Sequence, residues 1–488
     1  MNLDFRRALD NVERAELIRR LAEFEPAYLF KHALVQETVY RALLKNERKR
    51  LHLSVAANLE QVFPDQLDEN AARLAEHFWL AEDWERAAEY SQRAGTNALR
   101  HFASLEALDH FERALGAIEK MSAPTPLQRY EALMGWAEAA AKYRPYAAQL
   151  EHLARAEKIA RELDDKPRLA RTLYSIGAAH TAQGHGMRAE TALAECFTLA
   201  DELGDERLTI IPAYFMGMAT LPHNPRGAIP FFERAIELAQ RYENQDMEAV
   251  SWSAKAWALA QVGEFADARA AIARGQALSA RVKSPMVASD VDLFAGWAFL
   301  EMGDAEQGLH FGQSGLEKAA AAGNIDCVCG AHLCVGFNQL SAQRLPQAQT
   351  AFQEAIRESE YSGADVIQDI GRAGLALAQF YSGRSDSNAV LEQSYAQMQA
   401  LDIAMSRVHI AQALSAIYLQ RGDATRAEKL LTDARELFQR NQMLPSLALT
   451  LETLAQLYDR QGRMGEAQAA RTEATHWEKL FAREPELQ

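Results

Sequence analysis

The densest group of potential metal ligands in the sequence lies between positions 327 and 334. It comprises three thiols and one imidazole, at Cys327, Cys329, His332 and Cys334. Zinc sites usually take cysteines in pairs roughly two to four residues apart, with a second pair elsewhere. Cys327 and Cys329 are too close for such a pair, and on a helix Cys329 points away from the face that Cys327 shares with Cys334. We therefore predict buried thiols that pack as small apolar side chains, with no metal and no cofactor.

Other arrangements that could support catalysis are incomplete. The neighbours Glu76 and His77 diverge by about 100° on a helix, so their side chains do not converge on one ion. No Gly-x-x-x-x-Gly-Lys-Ser/Thr loop, which would hold nucleotide phosphates, occurs in the sequence. A nucleophile elbow of the Gly-x-Ser-x-Gly type is also missing from the sequence. The sequence thus predicts a protein that is not an enzyme.

One series of aromatic residues could bind a ligand. Trp257, Trp297 and Phe337 follow one another at intervals of 40 residues. If each lies at the same position of a repeated helix, the three rings form a ladder along the concave wall of a helical solenoid. Aromatic anchors on such a wall favour the binding of a partner. The alternative is that long helices bury the three rings between repeats, and the sequence leaves both interpretations open.

The elements that would carry these side chains are marked by a repeating pattern of small residues. One small residue recurs at intervals of 38 to 41 positions, at Ala189, Ala228, Ala268, Gly308, Ala348, Ala389, Ala427 and Ala467. Seven positions after each comes another, at Cys196, Ala235, Gly275, Gly315, Ala355, Ala396, Ala434 and Ala474. This spacing places both on one helical face, where short side chains allow a neighbouring helix to approach closely.

The period predicts an all-α fold, a tetratricopeptide-like α-α superhelical solenoid of eight or nine repeats. Its repeats of about 40 residues are longer than the roughly 34 usual for tetratricopeptide repeats. We expect regular repeats over residues 127–481, irregular first helical repeats over residues 67–126, and a tail at 482–488. Residues 1–66 form a separate helical segment in this prediction.

Composition narrows the function classes. The chain has 488 residues, of which 48% are hydrophobic, and a net charge of −15. An acidic chain is a poor general binder of nucleic acid, because that affinity comes largely from neutralising phosphates. No apolar run reaches the roughly 20 residues of a membrane helix, and the four cysteines are too few for a disulfide framework. We expect a cytoplasmic protein that contacts neither membrane nor nucleic acid.

Residues 28–95 carry a family resemblance. The segment begins with Tyr-Leu-Phe-Lys-His-Ala-Leu-Val-Gln-Glu at residues 28–37 and ends with Arg93-Ala94-Gly95. It resembles a region of bacterial STAND-type signalling ATPases. In that family the region joins a winged-helix subdomain to a tetratricopeptide arm, and many members carry a class III nucleotide cyclase or a DNA-binding domain. The resemblance implies that residues 1–27 are the helical remnant of the winged helix. It also implies that residues 1–66 as a whole correspond to the end of a winged-helix/ATPase linker.

The resemblance implies a sensor or protein-interaction module that binds a protein, a peptide or a small inducer in its concave groove. Two alternatives stay open. The chain is the C-terminal part of a longer ATPase or nucleotide cyclase whose catalytic domains lie upstream, or it is a plain assembly scaffold. The sequence does not distinguish oligomeric states.

Overall fold

The computed structural model describes residues 3–21, 27–101, 103–141, 146–384, 388–401, 403–404 and 407–481. They divide into two compact units, Met1–Trp136 (the first unit) and Ala137–Gln488 (the second unit). The described residues form 24 α-helices and two short strands, so the predicted all-α tetratricopeptide-like fold is confirmed. Within these ranges no helix combines the length and apolar character that crossing a bilayer requires.

The first unit contains one small sheet and seven helices, of which the last continues into the second unit. Its elements are α1 (Leu3–Arg14), β1 (Ile18–Leu21), β2 (Ala27–Phe30), α2 (Ala33–Ala42), α3 (Lys45–Val62), α4 (Ala71–Ala81), α5 (Trp84–Arg100), α6 (Ser104–Lys120) and α7 (Pro126–Ala140). Its core lies between α4, α5 and α6, where Leu74, Phe78 and Ile118 are buried.

The strands correct one expectation. We expected residues 1–27 to be helical, but α1 ends at Arg14 and β1 pairs antiparallel with β2, with Ile18 opposite Phe30. Each strand has four residues, which is too short for apolar alternation to be distinguished from a helical pattern. Pairing with the following segment therefore decides the conformation of residues 18–21.

The second unit is a series of helical hairpins. Its helices are α8 (Tyr146–Glu162), α9 (Lys166–Gln183), α10 (Gly186–Leu203), α11 (Ile210–Thr220), α12 (Pro225–Arg241), α13 (Gln245–Gln261), α14 (Phe265–Val282), α15 (Pro285–Glu301), α16 (Ala305–Ala322), α17 (Ile325–Ser341), α18 (Leu345–Ser362), α19 (Asp365–Tyr381), α20 (Asn388–Ala400), α21 (Arg407–Gln420), α22 (Ala424–Arg440), α23 (Leu444–Arg460) and α24 (Met464–Phe481). Odd-numbered helices contact the next odd-numbered helix as well as their hairpin partner. They therefore form a continuous inner wall.

Local sequence sets where these helices begin and end. Asn244 and Asp304 accept hydrogen bonds at 3.1 Å from the backbone N–H three residues on, which caps the first turns of α13 and α16. At the hairpin turns, Gly263 and Gly303 have φ of 83° and 76°. Glycine adopts this left-handed conformation without the strain that a Cβ would cause.

Small residues also occupy the preceding helix of a pair at the point where the two helices cross. A Cβ on Gly177 of α9 would lie 2.6 Å from Leu193 of α10. A Cβ on Gly336 of α17 would likewise lie 2.6 Å from the Phe352 ring of α18. Glycine at these positions lets the large apolar residue of one helix contact the backbone of the other.

One repeat departs from the predicted register. Ala389 and Ala396 of α20 are exposed, whereas Leu391, Tyr395 and Met398 are buried. Leu391 and Met398 have the same spacing of seven residues but lie two positions later than Ala389 and Ala396. Small size alone therefore placed this helix face wrongly, because larger side chains fill the crossing here.

Candidate functional site

The helices of the second unit bring sequence-distant residues into contact. Arg226 Nε donates to Gln442 Oε1 at 3.1 Å, across 216 residues of chain. The Asn441 side chain donates to the backbone carbonyl of His223, and the Ala404 N–H donates to the Pro222 carbonyl at 2.8 Å. We call these three hydrogen bonds the closure contacts. They show that the inner wall curves until its early and late helices meet.

A cavity of about 430 Å³, which we call the central cavity, lies against this inner wall. Six odd-numbered helices, α9 to α19, and short adjoining segments supply its lining. The lining residues are Ala178, Thr181, Ala182, Gly184, Tyr214, Phe215, Met218, Leu221, Pro222, Trp257, Asp290, Leu293, Phe294, Trp297, Asn324, Asp326, Cys327, Gly330, Leu333, Val366, Ile367, Ile370 and Ile403. Most of these side chains are apolar, so the cavity suits an apolar body.

The predicted aromatic series divides between cavity and core. The Trp257 and Trp297 rings stack at 5.4 Å with 20° between their planes, and both line the cavity. Phe337 is 5.9 Å from Trp297 but lies outside the lining, packed edge-on against Phe352 at 5.0 Å. The tryptophans are 7% and 4% exposed. Both alternatives left open by the sequence thus apply in part, and ligand binding by these residues stays a prediction.

A polar cluster interrupts the apolar lining at the start of α17. Asn324 caps this helix by accepting from the Cys327 N–H at 3.4 Å, and its Nδ2 donates to Asp290 Oδ1 at 3.4 Å. On the first turn of α17, Asp326 accepts a hydrogen bond from the Tyr146 hydroxyl. Two carboxylates therefore lie in the wall of a mostly apolar cavity.

The ionisable groups near these carboxylates stay protonated. Burial raises the pKa of the Cys327 thiol well above its usual value, and the charge of Asp290 raises it further. Burial and then the charge of Asp290 raise the pKa of Tyr214, and burial and then Asp326 raise that of Tyr146. A protonated thiol is a poor nucleophile, so the Cys327 thiol is not activated for covalent chemistry.

The cysteines of the cluster are buried, as the sequence predicts. Cys196, Cys327, Cys329 and Cys334 are all free and buried. Among the residues that the structure describes, no group of three or more His, Cys, Asp or Glu side chains is placed to hold a metal ion. The cysteines therefore pack as small apolar side chains.

The sequence reasoning missed the polar part of the cavity, although a signal was present. Asp290 precedes Trp297 by seven residues, and Asp326 precedes Phe337 by eleven. Both intervals return to the same face of a helix. A search of each helix for residues on the same face as its aromatic ring would have found both carboxylates. The residues of α9 and α19 would still be missed, because only the curvature of the wall brings them near.

One known protein shares a short segment with this chain. No family model matches the sequence. One segment is 37% identical over 98 residues to an uncharacterised protein of Rhizobium meliloti (strain 1021), which is 20% of this chain and 9% of that protein. This chain therefore matches only a small part of that relative's length, and the relative's function does not carry over.

Several solved structures of helical proteins are similar. A Rap protein complexed with competence and sporulation factor has a TM-score of 0.48 at 14% identity, over 81% of this chain and 98% of that one. The apo form of the quorum sensor NprR from B. thuringiensis has a TM-score of 0.41 at 14% identity, over 80% and 99%. A Pyrococcus horikoshii STAND protein with a tetratricopeptide repeat sensor has a TM-score of 0.37 at 14% identity, over 87% and 57%. The function of this chain has to follow from its own residues.

Proposed function

We propose that the second unit is a non-catalytic sensor module that binds a peptide, a protein segment or a small inducer in the central cavity. The supporting observation is the cavity itself, about 430 Å³ in volume and lined mainly by apolar side chains with a small polar cluster. Ligand sites in proteins commonly have this combination of size and lining. The thiol of the lining residue Cys327 has a raised pKa and is therefore a poor nucleophile, which favours binding over catalysis.

The position of the cavity suggests how binding would be transmitted. Its lining comes from α9 and α11 on one side of the closure contacts and from Ile403 on the other. A ligand that touches both sides binds the closed arrangement better than an open one. Such a ligand shifts the equilibrium towards the closed arrangement by its difference in affinity for the two states.

The first unit offers a surface for an effector, by which we mean the protein or domain whose activity the sensor module would control. In α2 none of the described residues is buried, and Leu34 and Leu44 are 74% and 71% exposed. Val62 at the end of α3 is 64% exposed. Apolar side chains concentrated on one segment favour contact with another protein. We propose that the segment formed by α2, Leu44 and α3 contacts the effector, which lies on the same or another chain.

The effector that the sequence resemblance suggests is a STAND-type ATPase or a regulator of that kind. This suggestion rests on the sequence resemblance of residues 28–95 alone. The alternatives, a C-terminal part of a longer ATPase or nucleotide cyclase and a plain assembly scaffold, use the same surface without a ligand-dependent signal.

Filling the cavity tests the proposed function. The full chain is titrated with N-phenyl-1-naphthylamine, a neutral probe whose fluorescence rises in apolar surroundings. We expect saturable binding of one probe per chain. Replacing Ala178, which lines the cavity, by Phe should abolish that binding because the new ring occupies the probe's volume.

The matched control is Ala320→Phe on the exposed side of α16. This variant should bind the probe like the natural chain. Absence of saturable binding to the natural chain, or an equal loss in both variants, would contradict the proposal. Circular dichroism of both variants checks that the helical content is unchanged.

A further inference from the structure

We infer that Arg407 and Tyr395 form a second binding site of the second unit, which takes the carboxylate of a small organic acid. Arg407 is the first residue of α21, and Tyr395 lies on α20. Neither is among the described lining residues of the central cavity, so this inference does not depend on the function proposed for that cavity. Three observations support it: a buried cation without a counter-charge, a buried hydroxyl next to it, and apolar surroundings.

The Arg407 guanidinium is a buried charge without a counter-charge. The residue is 4% exposed, and no hydrogen bond or ion pair joins its side chain to another of the residues that the structure describes. Arg435, whose Nε also lacks an acceptor, differs because its Nη2 pairs with Glu473 at 2.8 Å. An arginine keeps its charge in proteins, and burial of an unpaired charge is costly. An anion that binds to Arg407 removes this cost.

The Tyr395 hydroxyl supplies a second donor next to the guanidinium. The guanidinium carbon of Arg407 lies 5.0 Å from the centroid of the Tyr395 ring. Tyr395 is 7% exposed, and its hydroxyl has no hydrogen-bond partner among the described residues. The face of the ring attracts the guanidinium, but it neutralises no charge. A ligand with two acceptor oxygens can satisfy both the guanidinium and the hydroxyl.

The surroundings of these two side chains are apolar. Ile403, Ala404 and Val408 are buried and belong to the same core cluster as Tyr395. In apolar surroundings the attraction between opposite charges is stronger than in water. The amino end of a helix also favours a negative charge, and α21 begins at Arg407. The site therefore selects an anion.

Charge and shape narrow the anion to a carboxylate. One guanidinium compensates one negative charge, whereas a phosphate group carries about −1.5 to −2 at neutral pH. The excess charge of a phosphate would be buried without a partner. A carboxylate is planar, and its two oxygens match the paired N–H groups of a guanidinium. Because Arg407 and Tyr395 are both almost fully buried, the acid has to be small.

The site adjoins the closure contacts. The Ala404 N–H donates to the Pro222 carbonyl at 2.8 Å, and the Ala404 carbonyl accepts from the Arg407 N–H at 3.2 Å. One residue thus joins the start of α21 to the early helices of the second unit. A carboxylate on Arg407 binds where the early and late helices meet.

Thermal unfolding of the full chain tests the inference. Melting is followed at pH 7.5 and constant ionic strength while sodium chloride is replaced stepwise by sodium acetate. The melting temperature should rise with the logarithm of the acetate concentration once the site fills, because acetate binds the folded chain. Acetamide, which has a similar shape and no charge, should cause no such rise. Phosphate should have a smaller specific effect than acetate.

Variants assign the effect to this site. Arg407→Met removes the charge and keeps a long apolar side chain, so its response to each salt measures the general salt effect, which is subtracted. The matched control is Arg426→Met, because Arg426 also lies over a tyrosine ring, 4.4 Å from the Tyr418 centroid, but is exposed. This control should respond to acetate like the natural chain. Tyr395→Phe removes only the hydroxyl and should need about three to ten times more acetate for the same rise.

The possible outcomes decide the inference. An acetate response that is equal in the natural chain and in Arg407→Met overturns it, and so does an equal rise with acetamide. A larger specific effect of phosphate than of acetate shows that the carboxylate assignment is wrong. If Arg407→Met does not fold, Tyr395→Phe decides alone. An acetate response of Tyr395→Phe equal to that of the natural chain would then contradict the proposed site.

Discussion

At the scale of single residues, side-chain size determines how closely the helices pack. Gly177 and Gly336 each lie where a Cβ would meet the large apolar residue of the paired helix. The recurring small residues of the paired helices, such as Ala189 and Ala348, allowed the crossings to be predicted from the sequence alone.

The series of Trp257, Trp297 and Phe337 was found by the same reasoning because it follows the same period, but the period left open whether the rings line a groove or pack between repeats. Asp290 and Asp326 were not predicted, because the periodic series was not extended along each helix to the other residues on the same face.

Replacing Gly336 with alanine should destabilise the second unit. The new Cβ would lie 2.6 Å from Phe352, a ring that is fully buried and cannot move away easily. Overpacking of this kind costs about 1–3 kcal/mol, which exceeds the gain of about 1 kcal/mol from better helix propensity. Urea unfolding followed by circular dichroism measures the change. Gly465→Ala in α24, where nothing lies within 4 Å of the added Cβ, should leave stability unchanged or slightly raised.

The histidine pair in the first unit should make its stability depend on pH. His52 Nδ1 and His77 Nδ1 lie 2.9 Å apart, so one must be unprotonated to accept the hydrogen bond. Burial lowers the pKa of both imidazoles from 6.5, and the neighbouring His77 lowers that of His52 further. The unfolded chain then binds more protons below pH 6.5. The stabilisation is complete above pH 6.5 and is lost as the pH falls through the lowered values.

Thermal melts at pH 7.5 and pH 5 measure this effect in the natural chain and in His77→Gln. The melting temperature of the natural chain should fall more between the two pH values than that of the variant. Other histidines, such as His110, also have lowered pKa values and contribute equally to both proteins. A variant with the same pH dependence as the natural chain would show that the pair does not titrate as described.

At the scale of elements, the period predicted most helices of the second unit but not every helix face. Capping residues and left-handed glycines define the turns, and both are visible in the sequence. Helix α20 departs because Leu391, Tyr395 and Met398 occupy the buried face that we assigned to Ala389 and Ala396. The strands β1 and β2 were missed for a different reason. Their pairing is a contact between segments, which no pattern within four residues reveals.

The register that α20 has in the structure predicts different mutational effects from the register expected from the period. Leu391 is fully buried, so Leu391→Ala should cost about 2–5 kcal/mol through lost burial and the cavity left behind. Ala389→Glu on the exposed face should change stability by at most about 0.5 kcal/mol. Urea unfolding of each variant measures these changes in the free energy of unfolding. A severe effect of Ala389→Glu together with a mild one of Leu391→Ala would restore the periodic register.

At the scale of the whole molecule, the central cavity exists because the inner wall of the second unit curves back on itself. The period identifies neighbouring helices, but it contains no information on which distant helices meet. The contact of Gly184 with Val366 and the bond between Asn441 and His223 depend on the sum of small rotations between repeats. The fold could therefore be predicted from the sequence, whereas the central cavity required the structure.

Closure and ligand binding should be coupled, and Asn441→Ala tests this coupling from outside the cavity. Asn441 is 8% exposed and donates to the His223 carbonyl, but it is not a lining residue. Removing it leaves that carbonyl without this donor, at a cost of about 1–3 kcal/mol to the closed arrangement. Because apparent affinity falls with the fraction of closed molecules, N-phenyl-1-naphthylamine should bind severalfold more weakly. Gln349→Ala, which removes an amide that bonds Ser382 on the neighbouring hairpin, should bind it like the natural chain.

Hydrogen exchange supplies the reciprocal measurement. The Ala404 N–H, which donates to Pro222 across the closure, should exchange faster in Asn441→Ala than in the natural chain. Adding the probe should slow this exchange in both proteins, because a ligand held by both sides stabilises the closed arrangement. If the probe binds but leaves exchange at Ala404 unchanged, the cavity binds its ligand without acting on the closure. The second unit would then be a binding site that does not transmit a signal, which favours the scaffold alternative over the sensor.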